Sequence, residues 1–263
     1  MALPPIDTSR PHPARMYDYY LGGKDHYEVD EEAAERVVSV VPDAKRLARA
    51  NRRFMHRAVR HLAQQGIRQF LDIGTGIPTE PNLHQVVQGI RPDARVVYVD
   101  NDPVVLRHAE ALLRSTPEGR TSYVQADVRD PERIVAQARE VLDLTRPVAL
   151  SLVALLHFVP DEFDAYGLVD ALTAPLAPGS SLVLTHGTLD GGDPEEVAGV
   201  VEVYRKGGIP FRLRTREEFV RFFRGWELVE PGVGAPDAWR PDPGDPVPGA
   251  GDPPGFYVGV ARK

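Results

Sequence analysis

The sequence predicts an α/β fold built on a mainly parallel sheet, and three observations support this prediction. From residue 66 onward, short apolar runs alternate with segments of helical periodicity, which is typical of strand–helix–strand units. The first run, residues 67–73, ends in the glycine turn Gly74-Thr75-Gly76. Aspartates also stand at the ends of three of the runs, at the carboxyl ends of strands where such sheets bind ligands. We therefore expect a ligand site along that edge of the sheet.

The composition favours a soluble globular protein without a membrane span. Of the 263 residues 42% are hydrophobic, and no apolar run approaches the roughly 18 residues of a transmembrane helix. Residues 1–15 lack the apolar core of a secretory signal. The chain has no cysteine, which excludes disulfides and a cysteine nucleophile, and we expect a cytoplasmic protein. Its eight histidines show no metal-ligand spacing, so no metal site is predicted.

The charge balance argues against nucleic acid as a partner. The chain has 38 acidic and 31 basic residues and a formal net charge of −7, which disfavours non-specific binding to phosphates. Residues 45–60 nevertheless form a strongly basic run at helical spacing. We interpret this run as a solvated helix face with one or two functional members.

The chain is predicted to divide into an irregular arm (1–14), a helical cap or lid (15–65) and a ligand-binding domain (66–263). Residues 15–27 hold four tyrosines around the Gly22-Gly23 break. Three interpretations compete for this segment: a helix docked by its tyrosines, a lid that closes over a ligand, and an arm for a partner. We favour the lid, because the glycine pair offers a hinge and aromatic faces suit a cation.

The other elements follow from hydrophobic periodicity. Strands are predicted at residues 67–73, 95–99, 122–125, 148–153 and 181–185, with two short strands at 227–229 and 256–261. Helices are predicted at residues 31–41, 44–64, 104–113, 131–141, 163–176, 194–204 and 216–223, and a further helix after the glycine turn has its apolar face at Leu83, Val86, Val87 and Ile90. We expect Thr79 or Glu80 to cap the helix after the glycine turn, with Pro81 in its first turn. Residues 231–255 hold 14 prolines and glycines, so neither a helix nor a central strand is expected there.

Three aspartates indicate which nucleotide-type ligand the sheet binds. Asp72 precedes the glycine turn, where it would repel a diphosphate but attract an amino-bearing cation such as S-adenosylmethionine (SAM). Asp100 follows the second strand and suits the ribose hydroxyls of a nucleotide. Asp127 follows the third strand, where a carboxylate can accept from the adenine amino group. Thr79 stands where a dinucleotide fingerprint has its third glycine, so an NAD-dependent oxidoreductase is disfavoured.

With these motifs, the chain resembles the class I SAM-dependent methyltransferases. More narrowly, it resembles the actinobacterial-type S-adenosyl methyltransferase family, first catalogued as a domain of unknown function. The resemblance covers about residues 10–262. It rests on blocks at Ala14–Tyr19, Leu21–Asp25, Asn51-Arg52, Phe70–Gly76 with Pro78-Thr79, Tyr98–Pro103, Ala126-Asp127 with Arg129–Pro131, Leu156–Asp161 and Trp239–Pro241. The resemblance implies a Rossmann-like class I methyltransferase fold, with a seven-stranded, mostly parallel sheet, an antiparallel last strand and an N-terminal helical cap over the cofactor.

We assign cofactor roles to residues along this edge. Gly74 and Gly76 are expected to allow close backbone approach, Asp72 to bind the amino end of methionine and Asp100 to bind the ribose. The remaining cofactor candidates are Asn101, which follows Asp100, Asp127 with the Val128 amide for adenine, Tyr17 and Tyr20 around the sulfonium, and Arg15, Lys24 and Arg52 for the methionine carboxylate. The cofactor is expected to leave as S-adenosylhomocysteine.

Two histidines are candidates for the general base. His157 follows the fourth strand and His186 the fifth, where the acceptor and the reacting methyl group should meet. The leading hypothesis is a SAM-dependent methyltransferase that acts on a small-molecule acceptor. The alternative is a non-catalytic SAM-binding regulatory or interaction protein. The sequence indicates neither the identity of the acceptor nor an oligomeric state.

Overall fold

A computed structural model describes residues 7–112, 114–246 and 254–263, except for the side chains of residues 109–112. Within these residues, seven strands form one sheet in the order β3-β2-β1-β4-β5-β7-β6. The strands are β1 (Gln69–Ile73), β2 (Arg95–Asp100), β3 (Arg120–Gln125), β4 (Ala149–Leu152), β5 (Ser181–Gly187), β6 (Glu227–Leu228) and β7 (Phe256–Arg262). Strands β1 to β5 pair in parallel, and β7 runs antiparallel to both β5 and β6. The predicted mostly parallel sheet with an antiparallel last strand is confirmed.

Helices surround this sheet and precede it. They are α1 (Pro13–Leu21), α2 (Glu28–Val40), α3 (Ala44–Gln64), α4 (Leu83–Gln88), α5 (Pro103–Leu112), α6 (Pro131–Ala138), α7 (Ala165–Thr173), α8 (Pro194–Lys206) and α9 (Arg216–Val220). Short 3₁₀ turns lie at Leu156–Phe158, Asp161–Phe163, Arg221–Phe223 and Pro236–Ala238. Among the described helices, none is long and apolar enough to cross a membrane.

The central strands are buried on both faces, which explains their continuous apolar runs. Leu71, Val97 and Leu150 belong to the core on one face, which α6 and α7 cover. Phe70 and Val96 belong to the core on the other face, which α3 and α4 cover. The strands that carry the cavity at their carboxyl ends are therefore packed between two layers of helices.

The helix after the glycine turn begins later than predicted. Its N-cap is Asn82, not Thr79 or Glu80, so Pro81 lies before the helix. Asn82 and Gln85 form a capping box, in which the Gln85 side chain accepts from the Asn82 backbone N–H at 2.6 Å. The Gln85 side chain thus gives the Asn82 backbone N–H a partner at the start of the helix.

The basic run in α3 is not simply a solvated face. Arg57 is buried and donates to the carbonyl oxygens of Trp239 (3.0 Å) and Pro236 (2.6 Å). It also contacts the Asp245 carboxylate at 2.8 Å, and Arg53 contacts Asp237 at 2.9 Å. These two arginines hold the described part of the proline- and glycine-rich loop against α3. Side chains of the basic run thus have partners within the protein. The rest of that loop, residues 247–253, lies outside the described residues.

The N-terminal helices form a cap over the strand ends. Met16 and Tyr20 of α1 are buried in a cluster with Val37 of α2, Ala48 of α3 and Tyr204 of α8. Helix α1 begins two residues before the predicted arm–cap boundary, because His12 Nδ1 accepts from the Ala14 amide and caps it. Residues 1–6 of the predicted irregular arm lie outside the described residues. This docked arrangement corresponds to the first of the three interpretations of residues 15–27, and closure as a lid stays a prediction.

Candidate functional site

A cavity of about 560 Å³ lies at the carboxyl ends of the parallel strands, beneath α1. The loops after β1 to β5 line it together with α1, α3 and α8. Of the residues predicted to form the site, those that line the cavity are Tyr17, Tyr20, Arg52, Asp72, Gly74, Gly76, Asp100, Asn101, Val128 and His157. The predicted residues that do not line it are Arg15, Lys24, Asp127 and His186.

The two glycines after β1 serve different purposes. Both have left-handed backbone angles, φ +73° at Gly74 and +68° at Gly76, which favour glycine. A Cβ atom at Gly74 would lie 2.7 Å from the Leu155 side chain, so this glycine is required by packing. A Cβ atom at Gly76 would meet no protein atom within 4 Å. Gly76 is therefore where the backbone of the turn is open to a ligand.

Two buried carboxylates flank this turn. Asp100 Oδ2 accepts from the Gly76 amide at 2.8 Å, and its Oδ1 accepts from the Asp102 amide at 2.9 Å. Asp72 accepts from the Thr75 hydroxyl at 2.5 Å. Burial raises the pKa of both carboxyls above the ordinary value. Their ionised forms would be stabilised by further donors or by a cation in the cavity.

The end of β3 contributes differently from the prediction. The Asp127 carboxylate accepts from the Arg129 side chain at 2.9 and 2.6 Å, and this pairing lowers the pKa of Asp127 to about 2. Asn101 donates to Asp127 at 3.3 Å and itself lines the cavity, as does Val128. The Asp127 side chain therefore does not line the cavity itself, but it binds Asn101, which does.

Of the three cations predicted to bind the methionine carboxylate, Arg52 lines the cavity. Its Nη2 donates to the Thr79 carbonyl at 2.7 Å, while its Nε is buried without a hydrogen-bond partner among the described residues. Arg15 instead contacts Asp102 at 3.2 Å and Asp30 at 3.3 Å, and it is buried in that ion-pair network. Lys24 is exposed outside the cavity.

Tyr17 and Tyr20 reach the cavity from α1. The Tyr17 hydroxyl donates to the Ala48 carbonyl at 3.0 Å and accepts from Asn51 at 2.9 Å. Burial raises the pKa of both tyrosines, so both are neutral phenols. Helix α1 is thus joined to α3 by hydrogen bonds at the wall of the cavity.

His157 lines the cavity as a neutral ring. Its Nδ1 accepts from the Gly187 amide at 3.3 Å, so the ring carries its proton on Nε2. Burial, together with the nearby His186 and Arg214, holds the pKa of His157 well below the ordinary value of 6.5. A neutral ring protonated on Nε2 offers the cavity a hydrogen-bond donor, and this geometry disfavours the predicted role of general base.

His186 is not brought to the cavity. Its Nδ1 lies 2.7 Å from the Gly187 carbonyl, and its Nε2 accepts from Arg214 at 2.8 Å. Burial lowers the pKa of His186 to about 3. Both nitrogens are occupied within the protein, and the ring holds the buried Arg214 in place.

Four aromatic side chains that the sequence reasoning did not assign also line the cavity: Phe158, Tyr204, Phe211 and Phe256, here called the aromatic wall. The sequence contained a signal that could have identified one of these four residues. Phe256 opens the antiparallel strand β7 and pairs with Gly187 at the end of β5, so its position at this edge follows from the topology. In the described part of the chain, no group of three or more histidines or acidic residues is arranged to hold a metal ion.

The chain is similar to known methyltransferases and to a DUF574 family protein. The model of a family described as S-adenosyl methyltransferase matches residues 1–263. A DUF574 family protein from Streptomyces avermitilis MA-4680, known from its crystal structure, is 50% identical to this chain, with a TM-score of 0.95. The alignment covers 98% of this chain and 100% of that chain. A candidate methyltransferase from Thermobifida fusca YX is 43% identical, with a TM-score of 0.87 and coverages of 98% and 96%.

More distant structures share the fold alone. Human N-acetylserotonin methyltransferase, crystallised with SAM, is 14% identical, with a TM-score of 0.51. That alignment covers 97% of this chain and 63% of the human one. No curated protein matches the chain.

Proposed function

Since the chain belongs to the S-adenosyl methyltransferase family, and is thus a SAM-dependent enzyme, we propose that it transfers the methyl group of SAM to a small-molecule acceptor held in this cavity. One observation carries the proposal. A single cavity joins the buried carboxylates of Asp72 and Asp100 and the open backbone at Gly76 to an aromatic wall at its other end. The first part suits the cofactor, and the second leaves room for an acceptor.

The residues present fit the cofactor. Asp100 would accept from the ribose hydroxyls and Asp72 from the methionine ammonium, which would favour the ionised form of each buried carboxyl. The buried Nε of Arg52, without a partner among the described residues, would donate to the methionine carboxylate. Asn101 and the Val128 amide would contact the adenine, with Asp127 holding Asn101 in place.

When bound, SAM supplies an electrophilic methyl carbon on a positively charged sulfur. The chain's residues then have three tasks: to hold the cofactor, to align the acceptor with the carbon–sulfur axis and to exclude water. Tyr17 and Tyr20 would contribute to the last task by closing the cavity beneath α1 and by presenting aromatic faces to the cation. Such a site requires few catalytic side chains.

Titration calorimetry with SAM and with NAD tests the proposal. We expect SAM to bind with a stoichiometry of one and NAD not to bind. Equal binding of NAD would favour the oxidoreductase that Thr79 disfavours. The non-catalytic alternative has no support from the family or structural matches. It would gain support if SAM bound but no S-adenosylhomocysteine formed with a broad set of acceptors. A cytoplasmic location stays a prediction.

A further inference from the structure

The sheet order separates two ends of the cavity. The loops after β1, β2 and β3 carry the cofactor candidates, and β4, β5 and β7 lie on the other side of β1. Residues from this second side, from α8 and from the segment after α8 line what we call the acceptor end: the aromatic wall with His157, Thr188, Asp190 and Glu196. The chemistry of the acceptor end restricts what can bind beside the cofactor.

The aromatic wall is continuous. Tyr204 and Phe211 stack with ring centroids 4.3 Å apart, and Phe158 lies 5.6 Å from Tyr204 and 5.7 Å from Phe211. The His157 ring connects Phe158 (4.3 Å) to Phe256 (5.9 Å). Aromatic faces and edges arranged at these spacings favour another flat ring over an aliphatic group of the same shape.

His157 provides a directed polar contact in this apolar surface. Its Nδ1 is occupied by the Gly187 amide, and its Nε2–H has no partner among the described residues. The ring packs against three of the wall residues and is 5% exposed, so its orientation is fixed. A ligand atom that accepts a hydrogen bond would satisfy this donor.

The charges at the acceptor end are negative. Asp190 and Glu196 line it, and Asp190 is held by the Arg216 amide at 2.7 Å and the Tyr257 hydroxyl at 3.0 Å. Of the two arginines among the described lining residues, Arg52 lies on the cofactor side. The other, Arg46, contacts the Asp43 carboxylate at 2.8 Å. A carboxylate or phosphate on the acceptor would therefore lose its hydration and face like charges.

We propose that the methyl acceptor is a flat aromatic molecule without an anionic group, one of whose oxygen or nitrogen atoms accepts a hydrogen bond from His157 Nε2. This inference rests on the proposed function, because it places the cofactor at the other end of the same cavity. It assigns His157 to orienting the acceptor, in place of the role of general base.

Binding of four matched probes to the protein saturated with S-adenosylhomocysteine tests the inference. Saturation is first established by calorimetry, so failure of the cofactor to bind would count against the proposed function and be recognised as such. The probes are 2-naphthol, naphthalene without the hydroxyl, decahydro-2-naphthol without the aromatic rings, and 6-hydroxy-2-naphthoate with an added carboxylate. All are measured by displacement of a fluorescent naphthalene derivative.

We expect 2-naphthol to bind most tightly. Decahydro-2-naphthol should bind about three- to tenfold more weakly because it loses ring–ring contacts. Naphthalene should bind roughly two- to twelvefold more weakly because it cannot accept the hydrogen bond that His157 Nε2 donates to 2-naphthol. The naphthoate should bind at least about tenfold more weakly because its charge is unpaired. Equal affinities across the set, tighter binding of the naphthoate, or no binding of any probe to the loaded protein would overturn the inference.

Variants separate a binding role of His157 from a structural one. His157→Phe should abolish the preference for 2-naphthol over naphthalene, while His157→Gln, which keeps an amide donor near the Nε2 position, should retain part of it. Phe211→Leu should weaken all aromatic probes. Phe163→Leu, at a ring outside the cavity, should leave them unchanged. A preference that survives in a folded His157→Phe protein would contradict the assignment of His157.

Discussion

Substitution of Gly76 by alanine tests how the glycine turn meets the cofactor. The position has φ +68°, and a Cβ atom there would meet no protein atom within 4 Å. An alanine in this conformation costs about 1–2 kcal/mol of folding free energy, with no further cost from a clash. In the presence of SAM, the added methyl would occupy space that the ligand needs against the backbone.

Gly208 offers a matched control. It has φ +71° and equally open space for a Cβ atom, but it does not line the cavity. Gly208→Ala should therefore carry the same conformational cost. For a chain of this size, both variants should lower Tm by about 2–8 °C.

The two variants should differ in binding. Overpacking costs typically about 1–3 kcal/mol, which corresponds to a roughly 5- to 150-fold higher Kd for SAM in Gly76→Ala. Gly208→Ala should bind SAM as the wild type does. Titration calorimetry gives the Kd, and scanning calorimetry without ligand gives Tm. Equal Kd values for the two variants would refute the reasoning. A much larger loss of Tm in Gly76→Ala would mean that the turn had rearranged.

Three further predictions concern the carboxylate, the histidines and the cap. Asp100→Ala should raise the Kd for SAM at least about tenfold. It should also lower Tm, because two backbone amides lose their charged acceptor. Unchanged affinity would remove Asp100 from the site. The buried His157 ring has a pKa well below 6.5, so as the pH falls this ring is protonated in the unfolded chain before it is protonated in the folded protein. The unfolding free energy therefore falls as the pH drops below about 6.5. From pH 7.5 to 5.5, the unfolding free energy of the wild type in urea should therefore fall relative to that of His157→Phe by up to about 1.4 kcal/mol, and a difference independent of pH would contradict this. In hydrogen exchange, residues 13–21 should gain protection when SAM is added; full protection without SAM would mean a permanently docked helix.

The sheet and the edge of it at which the cavity lies could be predicted from the sequence, because local patterns specify them. Strands buried on both faces read as continuous apolar runs, and Asp72 and Asp100 lie at the carboxyl ends of such runs. Parallel pairing then places their ends at one edge. The glycine turn was equally visible, although the difference between Gly74 and Gly76 depends on Leu155, which is distant in sequence.

Contacts between residues far apart in the sequence explain which side-chain roles could not be predicted. Arg15 and His186 each carry a side chain that suits a catalytic or binding role, but partners far along the chain, Asp102 and Arg214, engage them. The basic run in α3 pairs with a loop near the end of the chain for the same reason. Phe211 lies in a segment without periodicity, so its place in the aromatic wall depends on the tertiary fold.

A crystal structure of the complex with S-adenosylhomocysteine tests the central claim most directly. The account predicts that the ribose hydroxyls lie within hydrogen-bond distance of Asp100, that Gly76 contacts the ligand through its backbone, and that the sulfur faces the acceptor end beside His157. A ligand bound elsewhere, or bound in this cavity with its ribose away from Asp100, would contradict the account.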